Sequence, residues 1–422
     1  MKMKDISLDG FTLSSSEVSL ISLGKTTVSI SPDALIRVQS ARSVVERILS
    51  DNETVYGINT GFGALVHQSI SPSDLTKLQV NLVRSHATAI GDLMCKESVR
   101  AMMAVRINSL AKGNSGVHPD VLNQLVDFLN YDIIPAIPRI GSLGASGDLA
   151  PLSHMALSLI GEGHVLSAEG DVEDTAIQLQ EHGLIPLELR AKDGLSLING
   201  TSQICSYLSL SERRLADLLV YADLCLGASI EARKASVKPS DKRVHDARPH
   251  PGQILVSSRI RKILENSPIV ESHANCDQVQ DAYSFRCAPQ VHGAVYERLL
   301  SLQSTLAIEL NSATDNPLIF PDHANPGPHE VVSQGNFHGE VLALTADSMV
   351  ASIFELGSIS ERRIDQILDP ARSGLPPFLA KNSGLESGLM IVQYVAGASL
   401  SELHGHAATR TIFSTSTSAG QE

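Results

Sequence analysis

The stretch GSLGASGDLAPL at residues 141–152 carries more information than any other part of this chain. It is built from small, turn-forming residues, and it opens directly onto an apolar pattern with helical spacing. The members of that pattern, which precede a Gly-Glu-Gly stop, are Leu149, Leu152, Ala156, Leu159 and Ile160. Taken alone, the centre of the stretch would most simply be a turn in which Ser146 or Asp148 caps the following helix.

The tripeptide Ala145-Ser146-Gly147 has a second possibility, which is backbone cyclisation. Attack of the Gly147 nitrogen on the Ala145 carbonyl, with loss of two waters, gives a 4-methylidene-imidazol-5-one (MIO), an alkene conjugated to a carbonyl. Ser146 supplies the hydroxyl that is eliminated. Glycine leaves no Cβ to block the close backbone approach, and a strained loop would hold the reacting atoms together. The product is an electrophile, which no ordinary side chain provides.

Composition places the chain among soluble globular proteins that act on small molecules. Its 422 residues are 43% hydrophobic and 19% charged, which suffices for two or three domain-sized units with a large core. The net charge of −13 disfavours nucleic acid or an anionic membrane surface as a partner, because both need clustered cations. A small-molecule substrate is therefore the better expectation.

Cysteine usage and the lack of targeting signals predict a cytoplasmic protein. The five cysteines are widely spaced and form no Cys-x-x-Cys pair, so neither a disulfide framework nor a zinc site is indicated. The N-terminal residues lack the apolar core of a signal peptide. No uninterrupted apolar run reaches the roughly 20 residues of a membrane helix. We expect no metal and no nucleotide cofactor.

Apolar periodicity predicts a mainly α-helical protein with unusually long helices. Apolar residues recur at intervals of three and four over residues 201–232, 292–312 and 336–369. Helices much longer than about 25 residues point to a large bundle or an oligomer core. Strand-like patterns occur only near the N-terminus, at residues 18–23 and 27–30.

Clusters of Pro and Gly predict loops at residues 134–146, 238–252 and 321–328. The clearest domain boundary lies near residue 200. We therefore expect an N-terminal domain over residues 1–200 and a long-helix bundle over residues 201–422.

Several further segments join the 141–152 stretch in resembling one family. That stretch is similar, almost letter for letter, to the cofactor loop of the MIO-dependent aromatic amino acid ammonia-lyases, which act on histidine, phenylalanine or tyrosine. The segments that match this family's motifs, in family order, are residues 56–63, 78–86, 197–201, 279–290, 315–318, 334–340, 387–390 and 421–422. The resemblance runs from about residue 50 to the C-terminus.

The resemblance implies catalytic roles for residues in these segments. Tyr56, at the head of a Gly-rich loop, would be the base that takes a proton from the β-carbon of the substrate. Asn199 would hydrogen-bond near the cofactor ring or the substrate amine, although it is also a good helix N-cap. Arg286 would clamp the substrate carboxylate with its planar fork. Gln280 and Tyr283 could share one helical face with it, although this group could also be a satisfied surface network.

The resemblance also implies a pocket for the substrate ring. Ser85 and His86 would lie against the substrate side chain, and phenylalanine-selective members tend to carry apolar residues there. The remaining pocket residues would be Gln280, Asn316, Phe337, Met390 and Glu422. A methionine at the place of Met390 is typical of histidine-selective members. Histidine or tyrosine is therefore favoured over phenylalanine as the substrate.

The family's architecture and chemistry complete the expectation. It implies a mainly α fold in which an N-terminal MIO-loop domain precedes a central bundle of the fumarase and aspartase type, assembled as a homotetramer with shared active sites. Family members continue past Glu422, so we expect this chain to lack their C-terminal helices. The leading function is deamination of L-histidine to ammonia and trans-urocanate. The alternatives are a tyrosine ammonia-lyase, a MIO-dependent aminomutase, a cofactor-free lyase of the fumarase type and an inactive truncated scaffold.

Overall fold

The computed structural model describes residues 4–51, 53–55, 57–60, 70–167, 169–273, 279–413 and 415–417. These residues form two compact units. The first contains the described residues of Met1–Arg213, Ser304–Ala343 and Phe413–Glu422, and the second contains Arg214–Gln303 and Leu344–Ile412. Helices dominate both units, which confirms the mainly α fold. The division at residues 200 and 201 stays a prediction.

The first unit combines helices with four small sheets. Its helices, or the helices that begin in it, are α1 (Ser15–Ser22), α2 (Pro32–Ser50), α3 (Leu75–His86), α4 (Lys96–Ala111), α5 (Pro119–Asn130), α6 (Leu149–Leu159), α7 (Thr175–Glu181), α8 (Asp193–Ile198), α9 (Ser202–Arg233) and α15 (Glu340–Leu368). Its strands are β1 (Lys4–Leu8), β2 (Thr26–Ile30), β3 (Ile90–Leu93), β4 (Ile134–Pro135), β5 (Pro138–Ile140), β6 (His164–Leu166), β7 (Val172–Asp174), β8 (Leu318–Ile319) and β9 (Val331–Val332). Strand β1 pairs in parallel with β2, whereas the β3-β5, β4-β6-β7 and β8-β9 pairings are antiparallel.

The named secondary-structure elements among the described residues of the second unit are all helices. The helices that begin in it are α10 (Lys242–Asp246), α11 (Pro251–Ile263), α12 (Pro268–Glu271), α13 (Tyr283–Arg286), α14 (Ala288–Glu309), α16 (Pro370–Ser373) and α17 (Met390–His406). Its core cluster includes Leu226, Ile260 and Phe285. Helix α17 has no fully buried residue, although Gln393 bonds to Asp365 and His404 lies against Phe354 of α15.

Two expectations about local structure were wrong. Residues 18–23 form most of helix α1 and not a strand, because Ser14 and Glu17 make a capping box that starts a helix. Strands are also not confined to the N-terminus, since β3 to β9 occur far along the chain. These strands are two to four residues long, too short to give a clear alternating pattern.

The predicted Pro- and Gly-rich loops are also more structured than expected. Residues 134–146 contain strands β4 and β5, and residues 238–252 contain α10 and the start of α11. Pro251 is the first residue of α11, a position where the missing amide hydrogen costs nothing because no carbonyl would accept it. A proline-rich stretch can therefore hold helix starts as well as turns.

Helix α4 forms the centre of the first unit. Every residue from Ser98 to Ala111 is buried, and a helix that is buried on all sides belongs in the core of a large protein. Arg106 lies in this helix with no exposed surface. A separate core cluster packs α2 against Ile58, Ala191 and Ile319, which come from distant parts of the sequence.

Helix α15 is the one described helix that is long and apolar enough to cross a membrane, judged by length and composition. Only 17% of its most apolar window is buried. One such helix is weak evidence for a membrane span. Asp347 and Glu355 interrupt its apolar residues.

Candidate active site

The Ala145-Ser146-Gly147 tripeptide forms a tight turn flanked by glycine backbone in the left-handed region. Gly144 and Gly147 have φ angles of +84° and +75°, and the Gly147 amide approaches the Gly144 carbonyl at 3.4 Å. A Cβ on Gly147 would lie 2.5 Å from the Gly200 carbonyl oxygen. Only glycine fits this position, because it alone tolerates both the φ angle and the close approach.

Asp148 fastens this turn to the start of helix α9. Its carboxylate accepts hydrogen bonds from the Ser142 hydroxyl at 2.7 Å and from the Gln203 and Ile204 amides at 2.7 and 3.1 Å. Those two amides lie in the first turn of α9, where helical amides have no partner within the helix. Burial raises the pKa of Asp148 to about 6 in spite of these donors.

The capping role that the sequence offered for Asp148 is corrected by this geometry. Asp148 precedes helix α6, but its side chain makes no capping hydrogen bond to that helix. The carboxylate turns instead to α9, and the Asp148 amide donates to the Gly200 carbonyl at 2.8 Å. Asp148 therefore joins the tripeptide turn to the Asn199-Gly200-Thr201 segment from both its side chain and its backbone.

Ser146 and Asn199 are in direct contact. The Asn199 side-chain amide donates to the Ser146 carbonyl at 3.2 Å. The Ser146 hydroxyl and the Asn199 Oδ1 are both buried, and neither has a hydrogen-bond partner within the described part of the chain. Unpartnered buried polar atoms are costly and are concentrated at functional sites. The two atoms mark the place where chemistry is expected.

Two buried cations near this site, Arg106 and Lys192, were not predicted from the sequence. Arg106 donates to the Ser196 carbonyl at the end of α8, and burial lowers the pKa of Arg106 to about 10. Lys192 is also fully buried, with its ammonium 2.5 Å from Asp315. A Cβ on Gly200 would collide with the Arg106 guanidinium. The sequence signal for the buried arginine is its place inside the otherwise apolar run Ala104-Val105-Arg106-Ile107.

The predicted pocket residues Asn316 and Phe337 lie on segments joined to the same site. The Asn316 side-chain oxygen accepts from the Gln334 amide at 2.8 Å, which ties the two segments together. Gly339 donates to the Gly144 carbonyl at 2.9 Å. Phe337, two residues before Gly339, is half-buried. The turn, Asn199, Asn316 and the Phe337 segment thus lie in one region of the first unit.

Ser85 and His86 end helix α3, which packs against α6 and α8. The His86 Nδ1 lies 2.9 Å from the Leu82 carbonyl. A carbonyl only accepts, so Nδ1 is the donor in this hydrogen bond. On the same helix, the Gln79 Oε1 accepts from the Leu195 amide at 3.2 Å and fixes α3 beside the helix that leads to Asn199.

The second unit places Tyr283 and Arg286 on one short helix, α13. The Arg286 guanidinium lies 4.5 Å from the centre of the Tyr283 ring, a distance at which the cation is attracted to the ring. The Arg286 Nε is buried without a partner among the described residues. Helix α13 begins after its N-cap residue Ala282, and Gln280 lies before it. The expectation that Gln280 shares a helical turn with Tyr283 and Arg286 was therefore wrong.

Arg286 and Gln280 line a cavity of about 540 Å³ in this unit, together with Lys238, Asp281 and Gln290. This volume is ample for an amino acid. Met390 is half-buried and begins helix α17. Tyr56 and Glu422 lie outside the described residues, so the roles expected for them stay predictions.

Comparison with known proteins identifies the family. A family model described as aromatic amino acid lyase matches residues 13–422. The chain is 43% identical to a histidine ammonia-lyase of Myxococcus xanthus, over 100% of this chain and 82% of that protein. The crystal structure of histidine ammonia-lyase from Trypanosoma cruzi superposes with a TM-score of 0.89 at 40% identity, covering 99% of this chain and 77% of that one. A tyrosine aminomutase from Streptomyces globisporus superposes with a TM-score of 0.91 at 37% identity, covering 99% and 81%. The chain belongs to the aromatic amino acid lyase family, whose fold and carbon–nitrogen lyase chemistry it shares.

Proposed function

We propose that this enzyme removes ammonia from L-histidine and releases trans-urocanate. The observation that carries the proposal is the buried Ser146 hydroxyl, which has no partner among the described residues and lies beside Asn199, in a chain 43% identical to a histidine ammonia-lyase. Other buried serines of the described residues, such as Ser209, also lack a partner, but Ser146 differs from Ser209 because it lies between two glycines with left-handed backbone and accepts a hydrogen bond from Asn199. A serine whose hydroxyl is lost during cofactor formation needs no partner.

We propose that Ala145, Ser146 and Gly147 cyclise to the MIO group, and the residues present fit this group. The missing side chain of Gly147 allows the close approach to Gly200, and Asp148 holds the turn by three hydrogen bonds. Once formed, the group supplies an electrophile that withdraws electrons from the bound substrate. Mass loss equal to two waters in the denatured protein would test its formation.

The remaining groups of the site are proposed to bind and orient the substrate. Arg286 holds the carboxylate with two parallel hydrogen bonds, which converts binding into orientation. The Asn199 Oδ1, which has no partner among the described residues, is an acceptor suited to an ammonium group. Tyr56 takes the β-proton, and Tyr283 orients Arg286 through its ring. The β-proton is too weakly acidic for a tyrosine unless the substrate is activated and the pKa of the base is matched to the operating pH.

The direct test is a substrate comparison on the protein itself. We expect ammonia and the near-ultraviolet absorbance of urocanate to appear with L-histidine, and much slower turnover with L-phenylalanine. Absence of ammonia from L-histidine, L-tyrosine and L-phenylalanine alike would contradict the proposal and favour an inactive scaffold.

An aminomutase is the second candidate, because a tyrosine aminomutase is 37% identical with a TM-score of 0.91. The two activities differ in whether ammonia leaves or adds back to the neighbouring carbon. Mass spectrometry and chromatography of the product from L-tyrosine separate them, since an aminomutase gives a β-amino acid of unchanged mass. We expect the unsaturated acid to be the main product.

The ring pocket is proposed to consist of Ser85, His86, Gln280, Asn316, Phe337, Met390 and Glu422. We expect His86→Leu and His86→Phe to shift preference from histidine towards phenylalanine, because the half-buried His86 would be a polar partner that a phenyl ring leaves unpaired. His182→Leu is a matched control, since His182 also ends a helix with Nδ1 on the carbonyl four residues earlier. The ratio of kcat/KM for the two substrates measures the shift. An unchanged ratio would overturn the assignment of His86.

We expect Arg286→Lys to raise KM for the amino acid substrate, because a point charge replaces a bidentate fork. The loss should be on the order of 1.5–3 kcal/mol, the range for a hydrogen bond to a charged group. Steady-state kinetics give the value. If KM stays the same, Arg286 is not the carboxylate clamp.

We propose that the chain assembles as a homotetramer with shared active sites and works in the cytoplasm. Helix α17 supports assembly, since its exposed residues include Ile391, Val392 and Tyr394, and apolar surface on one helix marks an interaction site. The partners of the chain would be other copies of itself and the small-molecule substrate, and we expect it to bind neither nucleic acid nor a membrane. Light scattering of the purified protein tests the oligomeric state.

A further inference from the structure

Three buried polar residues in the second unit form a hydrogen-bond network that ends on the helix carrying Arg286. We infer that this His292 network, made of Asp223, His292 and Arg363, positions the Arg286 guanidinium for the carboxylate of the substrate. Arg363 is then a positioning residue for substrate binding. The inference rests on the proposed function, because it takes Arg286 as the carboxylate clamp.

The geometry of the network defines the state of each member. The His292 Nδ1 lies 2.8 Å from the Asp223 carboxylate, and Nε2 lies 3.3 Å from both terminal nitrogens of Arg363. A carboxylate only accepts and a guanidinium only donates. His292 is therefore neutral, with its proton on Nδ1 and a lone pair on Nε2. All three residues are buried, with at most 3% of their surface exposed.

Arg363 connects this network to helix α13. Its Nη1 donates to the Ser284 carbonyl at 3.2 Å, and its Nη2 donates to the Ser360 hydroxyl at 3.0 Å. Ser284 is the second residue of α13, and Arg286 is the last. The guanidinium of Arg363 thus binds the backbone two residues before the proposed clamp.

A four-residue helix cannot hold its own direction, because helix nucleation is unfavourable and few internal hydrogen bonds form. Its orientation must come from tertiary contacts. Phe285 supplies an apolar contact by packing into the core cluster with Leu226 and Ile260. Arg363 supplies a polar contact on the Ser284 carbonyl. The backbone of α13 is fixed by both contacts, and Arg286 projects from that fixed backbone to the cavity that it lines.

Burial is the largest cause that favours the neutral form of His292; Asp223 opposes it, and Arg363 adds to it. Asp223 also pairs with Arg259 at 3.2 Å, and Cys225 lies near Arg363. Burial lowers the pKa of His292 and lowers the pKa of Arg363 to about 10. Burying such groups costs more than packing apolar ones of similar size. Unlike apolar packing, the network fixes the direction of one carbonyl, that of Ser284.

The first experiment compares ligands with and without a carboxylate in the Arg363→Met protein. We expect KM for L-histidine and the inhibition constant of urocanate to rise about tenfold, an ordinary coupling for residues in contact, while kcat changes much less. Inhibition by histamine, which has no carboxylate, should be unchanged. Arg363→Lys should restore part of the loss, because an ammonium can still donate to the Ser284 carbonyl.

A matched control separates positioning from a general loss of stability. Arg100 is another buried arginine, and it donates to the Ile21 and Leu129 carbonyls in the first unit. We expect Arg100→Met to lower the melting temperature and to leave KM and the histamine-to-urocanate ratio unchanged. If Arg363→Met does not fold, the same measurements are made on Arg363→Lys.

A double-mutant cycle distinguishes failure of this inference from failure of the proposed function. Arg286→Met alone should raise KM, and Arg363→Met should add no further increase in that background, because the positioned group is gone. An unchanged KM in Arg286→Met would overturn the clamp and the inference with it. A raised KM in Arg286→Met with a normal KM in Arg363→Met, or an equal loss of histamine and urocanate binding, would overturn the inference alone.

Discussion

Ser146→Ala is expected to lower lyase activity by several orders of magnitude while the protein stays folded. The alkene carbon of the proposed cofactor comes from the serine Cβ, and alanine has no hydroxyl to lose. The barrier that the electrophile removes is large compared with the roughly 1.4 kcal/mol that separates each tenfold change in rate. Intact mass and near-ultraviolet absorbance of the denatured protein should show neither the loss of two waters nor the added chromophore.

Ser209→Ala is the matched control for this substitution. Ser209 is fully buried in the first unit, and its hydroxyl, like that of Ser146, lacks a partner among the described residues. It should retain both activity and chromophore. Full turnover by Ser146→Ala would end the cofactor hypothesis, whatever the control shows.

Gly147→Ala is expected to be almost as damaging, for a geometric reason. The new Cβ would lie 2.5 Å from the Gly200 carbonyl oxygen, so the turn or the Asn199-Gly200-Thr201 segment must move. The left-handed backbone at φ +75° adds about 1–2 kcal/mol for a residue with a side chain. The proposed attack by the Gly147 nitrogen requires the undistorted turn, so we expect loss of the chromophore together with the activity.

Gly144→Ala separates the two causes. Gly144 has φ +84° on the same turn, but a Cβ there would meet only the tip of Ile204 at 3.9 Å. This variant should lose some stability in thermal unfolding and keep a measurable chromophore. If Gly147→Ala carries the full chromophore, the close approach to Gly200 is not needed for cofactor formation.

The long helices were predictable because their own periodicity defines them. Residues 201–232 and 336–369 were predicted as helices, and the structure has α9 over Ser202–Arg233 and α15 over Glu340–Leu368. Helix α14 begins at Ala288, four residues before the predicted start. Pro289 lies in the first turn of this helix, where proline is tolerated.

The residues of the candidate site were predictable only where they adjoin a motif. The tripeptide and Asn199 belong to recognisable strings, and the structure brings them within hydrogen-bond distance. The turn of Asp148 towards α9 and the position of Arg106 under Gly200 arise from tertiary packing. Asp148 was read as a cap for the nearest helix because local spacing carries no information about a helix that begins more than fifty residues later. The same limit applies to the His292 network, whose members lie far apart in sequence.

The contact between Gly339 and Gly144 has a consequence for the order of events during synthesis. Gly339 donates to the Gly144 carbonyl, and Thr314 lies against Gly200, so the turn reaches its described shape only after residues 304–343 have joined the first unit. A ribosome that has released residues 141–152 must still translate nearly two hundred more before these contacts exist, at about 5–20 residues per second. We therefore expect the tripeptide to stay uncyclised on the nascent chain, so that the appearance of the chromophore would report completed folding of the first unit.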